Sequence, residues 1–463
     1  MTRERTRTAS NAMKKATNLQ LAEYDRSGNL KARYVESRSN TSNVTTSRID
    51  ILHPTSRKRL WRNVLDVFLP DGYPNSVSDD YTAYQIFDSF QAFAGTIAGM
   101  ISSRAVWEGL GVGDSRASPT GAMLIQVIRE CMGKLGTIFF AHFIGTSIEA
   151  ECKAYRLGAD VMTDAAMILD CASPWVPSEV RFLVLCCSSI MFSAAGVAGG
   201  ASKSSLSGHF AKWNNLGELN AKDGSQETVI SLMGMLAGTL VVSWLTTSFL
   251  TWSALLALLG LHLFLNWLGV RAVKMNSLNR QRANIAFSKL VEDDKVLSPA
   301  EVSDREIIFE KRRGSVLRWN GESILGHCRF GVSIKTLLAS LAKEKLNETT
   351  GSMSLEEVSL SELTHLFRNE QYLLWYRILP STELQVLVVL KDGIDARGQL
   401  RAWYHGLLLA RRLRAPSHTA STLENTRMTF DGYAKRLTEA EWDLNIPVME
   451  TSSGLRVKTG EEA

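Results

Sequence analysis

The sequence predicts a mainly α-helical protein. A multi-pass helical membrane domain, with signs of two related halves, precedes a small soluble α/β module. Three observations carry this. First, residues 228–270 form a run of 43 without Asp, Glu, Lys or Arg. About 20 helical residues cross a bilayer, so the run has room for two crossings, with Ser243-Trp244-Leu245-Thr246-Thr247-Ser248 as the break. Second, mean hydropathy is only -0.04 and 21% of residues are charged, so apolar spans must alternate with solvated parts. Third, Ala94-Gly95-x-x-x-Gly99 recurs as Ala195-Gly196-x-x-x-Gly200, and Met132-Gly133-x-Leu135 as Met233-Gly234-x-Leu236, both at an offset of 101 residues. Small residues four apart let helices approach closely, and internal repeats with a ligand site at their interface are common in transporters.

The elements follow in order. Residues 1–60 hold Ser/Thr/Asn clusters without a sustained period and read as a disordered basic arm. Residues 1–68 carry fourteen Lys/Arg against six Asp/Glu, a net +8 in a chain of net +5. Such an arm meets anionic lipid or stays solvated. It lacks the basic-aromatic interleaving of a nucleic-acid surface, so no nucleic acid is expected as partner. No apolar segment follows the basic start, which argues against a secretory signal. A membrane domain is expected over 61–290. It opens on the turn Leu69-Pro70-Asp71-Gly72-Tyr73-Pro74. Helical sequence then runs over 81–108 and over 119–169, broken near Gly145. A charge-free span of 20 residues, 182–201, lies between Arg181 and Lys203. Lys203, Lys212 and Lys222 precede the 228–270 hairpin and Arg271, Lys274, Arg280 and Arg282 follow it, which places both ends on the cytosolic or matrix side. Residues 291–352 read as a charged linker. The α/β module is expected over 353–448, with a helix at 354–367, strands at 372–378 and 384–390, and an amphipathic helix at 396–414. Residues 449–463 read as a polar tail.

The six cysteines form no CxxC and no Cys/His zinc spacing. They read as buried reduced thiols, with no metal and an intracellular membrane setting. Gly199-Gly200-Ala201-Ser202-Lys203-Ser204 lacks the glycine before its lysine and a preceding strand, so it is no phosphate loop. Gly-x-Ser-x-Gly and His-Glu-x-x-His are absent, and no catalytic residues or enzyme activity are expected. Arg156, Asp160 and Asp164 share one helical face. His262 sits inside the charge-free run, and Asp88, Glu130, Glu149 and Lys153 are charges on otherwise apolar helices. In a membrane such groups pair or line a water-filled cavity. The block Lys222-Asp223-Gly224-Ser225-Gln226-Glu227-Thr228 either caps the next helix or presents its N-terminus to an anion.

Several of these residues stand in ordered motifs: Leu69-Pro70-x-Gly72-x-Pro74-x-Ser76-Val77-x-x-Asp80-Tyr81-x-x-Tyr84-Gln85, Asp88-Ser89-x-Gln91-Ala92, Gly111-Val112-Gly113, Lys153-x-x-Arg156-Leu157-x-Ala159-Asp160-x-x-x-Asp164, Ala198-Gly199-Gly200-Ala201, His209, Asn214-Asn215, the 222–228 block, His262, Asn266, Leu278-Asn279 and Arg282. Together they resemble the root UVB-sensitive (RUS) family over about residues 60–300, with a weaker echo near 365–412. The chain departs from the family pattern at Arg129-Glu130-Cys131 and at Thr137, where the family usually has Arg. The resemblance implies a membrane-associated helical protein. In plants the family is linked to plastids, UV-B sensitivity, seedling development and vitamin B6 homeostasis, with no settled enzymatic activity.

The expected function is a membrane carrier or binding protein for a small anionic metabolite, with a B6 vitamer as the family-based ligand and no bound cofactor. The expected ligand-binding set is Asp88, Gln91, Arg156, Asp160, Asp164, Lys203, His209, Asn214, Asn215, Lys222, Asp223, Gln226, Glu227 and His262. Arg156 and Lys203 would meet anionic groups, and Asp160 and Asp164 would orient Arg156. The expected partners are the membrane and a second RUS-family chain or a further copy of this one. The alternatives are a membrane scaffold that recruits partners through the C-terminal module, and a soluble helical enzyme.

Overall fold

The computed structural model describes residues 19–24, 30–41, 44–53, 67–112, 118–310, 315–342, 353, 355, 358–379, 383–413, 419–451 and 454–458. Its Cα framework divides into two compact units, residues 1–79 with 210–226, and residues 80–209 with 227–463.

In the first unit three antiparallel strands lie side by side in chain order: β1 (Leu19–Tyr24), β2 (Leu30–Thr41) and β3 (Val44–Leu52). Leu21 pairs with Tyr34, which pairs in turn with Ile51. These strands differ from the disordered arm expected over 1–60, of which residues 1–18, 25–29, 42–43 and 54–60 lie outside the described residues. Among the sheet's described side chains Leu19, Leu21, Ile49 and Ile51 are exposed and Ala32 is buried. Its β-branched Ile49 and Ile51 favour extended pairing. In the following turn Gly72 has φ +81°, and a Cβ there would fall 2.3 Å from the Trp213 ring.

In the middle of the chain are six long helices: α1 (Tyr81–Gly109), α2 (Pro119–Ile144), α3 (Cys152–Ala172), α4 (Ser178–Phe210), α5 (Leu216–Trp244) and α6 (Ser248–Ala272). The breaks fall where the sequence places them, near Gly145 and within 243–248, where Thr247 caps α6 by accepting the Leu250 N–H. Helices α4, α5 and α6 are long and apolar enough to cross a membrane. Their apolar windows are only 33%, 11% and 17% buried, so most of that surface faces outward. In the second unit α1, α3 and α6 pack on one another around Ala98, Ile101, Met167, Leu255 and Leu259. Gly269 lies so close to α1 that a Cβ would touch Phe87 Cβ at 3.4 Å. The two Ala-Gly-x-x-x-Gly motifs have unlike surroundings. A Cβ at Gly95 would press on His262, whereas one at Gly196 or Gly200 would meet nothing within 4 Å.

Beyond α6 a mixed sheet takes over. Its strands are β4 (Val316–Trp319), β5 (Ser323–Phe330), β6 (Tyr372–Ile378), β7 (Leu384–Lys391) and β8 (Arg456–Val457), in the order β4-β5-β7-β6 with β8 beside β7. Around it lie α7 (Arg280–Asp293), α8 (Pro299–Ser303), α9 (Ile334–Leu341), α10 (Leu360–Leu366), α11 (Ala396–Arg412) and α12 (Thr419–Glu439). One core joins Phe287, Leu317, Val386, Trp403, Leu407, Leu437 and Trp442. The charged linker expected over 291–352 is corrected here. Much of it is folded as β4, β5 and α9, and its His327–Phe330 segment pairs in parallel with Gln385–Val388. That pairing joins segments far apart in sequence, which local periodicity does not register. Within the expected polar tail, β8 pairs with Leu390 and Lys391 and Met449 is buried. The helix expected at 354–367 shortens to α10, which starts at the Ser359–Glu362 capping box.

Candidate functional site

The three packed helices bring a polar seam into their shared core. On α1, Tyr84, Asp88 and Gln91 recur at i, i+4 and i+7. On α3, Arg156, Asp160 and Asp164 recur every fourth residue, and on α6 His262 and Asn266 do the same. Helical spacing thus turns each set onto one face, and the packing aims the three faces at one another. All eight side chains are buried.

Arg156 is the hub. Its Nη2 donates to Asp88 Oδ1 at 2.6 Å and Gln91 Oε1 at 3.2 Å, and its Nη1 donates to both Asp160 oxygens at 3.1 Å. Its Nε donates to Tyr84 Oη at 3.3 Å. Gln91 Nε2 and Asn266 Nδ2 also donate to Asp160 Oδ2. Asp88 and Asp160 therefore occupy the guanidinium fork that an anionic ligand would need. The expectation that Arg156 meets a ligand anion requires one of them to let go.

Deeper along α3 and α6 the seam changes character. Asp164 Oδ1 lies 2.8 Å from His262 Nδ1. Apart from that contact, both Asp164 oxygens and His262 Nδ1 are buried without a hydrogen-bond partner among the described residues. His262 Nε2 lies 3.3 Å from Gln91 Nε2 and 3.9 Å from Asp160 Oδ2. The ring presses on α1 at Gly95, where a Cβ would fall 3.0 Å from its Cδ2 and Nε2. Gly95 is thus what lets the imidazole lie against α1.

At the outer end Lys203 on α4 reaches Asp88 Oδ2 at 3.9 Å and Glu227 on α5 at 2.9 Å. His209 joins a different group. Its Nε2 is 3.0 Å from Asp80 Oδ2 and its Nδ1 3.4 Å from Asn276 Oδ1, while Lys274 N–H donates to Asp80. Five further expected residues, Asn214, Asn215, Lys222, Asp223 and Gln226, belong to the first unit. There Lys222 and Gln226 donate to the carbonyls of Val67 and Phe68, at 2.8 and 2.7 Å. Asn214 is exposed with φ 54°, and the Asn215 side-chain amide is buried without a partner among the described residues. The expected set therefore divides: Asp88, Gln91, Arg156, Asp160, Asp164 and His262 converge, with Lys203 and Glu227 at their rim. Tyr84 and Asn266 join them outside the expected set. Each lies one helical turn from a member, Tyr84 before Asp88 and Asn266 after His262, and that spacing is the signal that finds them.

Two further buried charge groups flank the seam. Arg129 on α2 donates to Asp170 at 2.5 Å, and Asp170 also accepts from Ser188. One turn before Arg156, Lys153 bonds Glu306 at 2.6 Å and Ser303 at 3.1 Å. Burial pushes the Glu306 carboxyl up, but Lys153 and Arg282 outweigh it and hold it below the ordinary range. Burial raises the nearby Glu151 to about 7 against the opposing pull of Arg282. Among the described residues no group of three or more His, Cys, Asp or Glu side chains is placed to hold a metal ion.

Comparison with known proteins agrees with the motifs. Residues 54–294 match the family model described as the vitamin B6 photo-protection and homoeostasis domain. The chain is 40% identical over 267 residues to RUS family member 1 of Dictyostelium discoideum, covering 57% of this chain and 51% of that protein. It is 31% identical over 373 residues to protein root UVB sensitive 3 of Arabidopsis thaliana, covering 80% of each. Protein root UVB sensitive 2, chloroplastic, of the same plant is 26% identical over 57% of this chain. No solved structure matches.

Proposed function

The chain belongs to the root UVB-sensitive family, and we propose that it is a multi-pass membrane protein that binds or carries a small metabolite in vitamin B6 homoeostasis. One observation supports this above the rest: a seam of buried charges lies where α6, a helix long and apolar enough to cross a membrane, packs on α1 and α3. Charged groups inside membrane helices are rare and mark ligand or ion pathways. Depth favours the same reading. Exposed Trp107, Trp175 and Trp244 lie at one end of α1, just beyond α3 and at the end of α5, and Trp252 lies in the first turns of α6. Aromatic residues of this kind collect at a membrane boundary. His262 follows Trp252 by ten residues, about 15 Å along the helix, or half of a hydrocarbon core about 30 Å thick. Arg104 caps this end by donating to the Val242 and Leu245 carbonyls at 2.9 and 3.0 Å.

The ligand class is a B6 vitamer. An anionic form would draw on Lys203 at the rim first and reach Arg156 only by displacing Asp88 or Asp160. The test is uptake of radiolabelled pyridoxine and pyridoxal 5′-phosphate by liposomes carrying the full chain, with calorimetric binding alongside. Flux or binding that Asp160→Asn abolishes supports the reading. Liposomes that move neither compound, with no heat of binding, refute it. Release of the protein by carbonate extraction refutes the membrane assignment itself. The scaffold reading draws on the large core of the C-terminal module. Deletion beyond residue 300 does not separate the two, because it strips Glu306 from Lys153 one turn from the seam's hub.

A further inference from the structure

We propose that Asp164 and His262 form a proton-binding site in the middle of the helical bundle, through which the seam takes up and releases one exchangeable proton. This rests on the carrier reading only for what the proton drives; the site itself stands on four observations.

The first is charge. Asp160 and Asp164 from α3 and Gln91 from α1 lie against the imidazole, and Arg156, Asp88, Tyr84 and Asn266 extend the same seam beyond them. Lys203 and Glu227 pair with each other at the rim. Inside that rim three carboxylates meet one guanidinium, two negative charges in excess over a neutral imidazole. Uncompensated charge at this burial costs several kcal/mol, and such groups neutralise by taking up a proton.

The second is where the deficit lies. Asp160 has Arg156, Gln91 and Asn266, and Asp88 has Arg156. Asp164, 3% exposed, has the 2.8 Å contact with His262 Nδ1 as its one polar contact among the described residues. One proton placed between them completes both: Nδ1–H donates to the carboxylate, or the carboxyl O–H donates to Nδ1.

The third is position. A Cβ at Gly95 would fall 3.0 Å from the ring's Cδ2 and Nε2, so α1 packs closely over the ring edge away from Asp164 and holds Nδ1 toward the carboxylate. The fourth is a polar line to the rim. His262 contacts Gln91 and Asp160, these contact Arg156, and Arg156 contacts Asp88; the guanidinium and the amide keep this line polar but do not carry the proton, which needs water to pass them. Asp88 lies 3.9 Å from Lys203, which bonds Glu227, whose side chain is 51% exposed. Hydronium from bulk water at that end gives up its proton and leaves water. The proton adds to a lone pair of the dyad, and release reverses the step, with no redox change.

The test uses the full chain in phosphatidylcholine nanodiscs with no added metabolite, the proton being the probe. The pH is stepped from about 8 to about 5, the range in which an unperturbed imidazole titrates, and proton uptake is counted with an indicator dye. Asp164→Asn and His262→Gln are each expected to take up one proton fewer per chain than the unaltered protein. Because either variant could fail to insert, the unaltered protein is also read by nitrogen-15 spectra with labelled histidine. One imidazole should change protonation over this range while its N–H exchanges slowly with deuterium. Equal proton counts in all folded forms, or no slowly exchanging imidazole that titrates, overturn the proposal. Failure of pyridoxine uptake with the proton counts as expected defeats the carrier reading alone.

Discussion

Two buried histidines, His262 in the helical seam and His405 in the C-terminal module, are alike in burial and opposite in company. His262 is 4% exposed and His405 is fully buried. His405 lies 3.1 Å from the Tyr372 hydroxyl through Nδ1 and 3.0 Å from the Thr422 hydroxyl through Nε2. Both partners are neutral and both ring nitrogens are engaged. Burial, aided by Arg427, holds its pKa down to about 3, so it stays an uncharged packing group. His262 instead faces two carboxylates, one of which has no other partner among the described residues. Burial alone therefore does not separate a functional histidine from a structural one. The charge and the unmet valence of its neighbours do.

The strongest way to break this contrast is at Arg156. Arg156→Ala leaves Asp88 and Asp160 buried without their cation, and losing one partner of a buried ion pair costs about 3–5 kcal/mol. The expected result is a large fall in the thermal midpoint of the detergent-solubilised chain. Arg156→Lys should recover little of it, because an ammonium cannot supply the forked donors that reach Asp88, Gln91, Asp160 and Tyr84 together. The triple change Asp88→Asn, Arg156→Met, Asp160→Asn should regain stability, since a buried network replaced as a whole is near neutral, while binding stays lost. Regained binding in that variant would reduce the seam to a structural device and erase its difference from the His405 site.

How much of this was legible in the sequence depends on how local the signal is. The charge-free run, the breaks at 145 and 243–248, the strands at 372–378 and 384–390 and the Arg156–Asp164 face are short-range patterns, and they appear in the structure. The β1–β3 sheet and the β5–β7 pairing were not legible. The first leaves apolar residues such as Leu21 and Ile51 exposed, and the second joins residues 327–330 to 385–388. In the site, helical spacing foretells which residues share a face of one helix, but not which faces meet. It separates neither His209 from the seam nor the Lys222–Gln226 contacts with Val67 and Phe68 from ligand contacts. The asymmetry that matters most, a hub with its donors engaged beside a carboxylate with one neighbour, exists only once three helices are packed.

A smaller effect sharpens the other side of the comparison. The unfolded chain carries His405 at an ordinary pKa of about 6.5, whereas the fold holds it down to about 3. Below about pH 6.5 the unfolded state therefore binds a proton that the folded state refuses. The stability tied to this histidine is complete above that pH and is lost as pH falls, by up to about 1.4 kcal/mol per unit. Between about pH 6.5 and 5 the module's slowest-exchanging amides should lose protection along that slope, and His405→Gln should flatten it. An unchanged slope in the variant would show that His405 is not the group being charged.

The smallest expected effect lies at the rim. Lys203 is 22% exposed and its close partner Glu227 is 51% exposed, so water and salt screen the 2.9 Å pair. Exposed pairs contribute about 0–1 kcal/mol. Lys203→Gln should therefore shift the melting midpoint little, in contrast to Arg156→Ala on the same carboxylate, Asp88. Its effect should instead appear in salt dependence. If Lys203 is where an anionic vitamer first meets the seam, the variant should weaken pyridoxal 5′-phosphate binding at low salt and leave pyridoxine binding unchanged, because only the former carries a phosphate. Equal weakening of both would mean that Lys203 acts by holding Asp88 in place. Loss of fold comparable to Arg156→Ala would mean that the rim is as dry as the core, and that the outward route from His262 through Glu227 is closed.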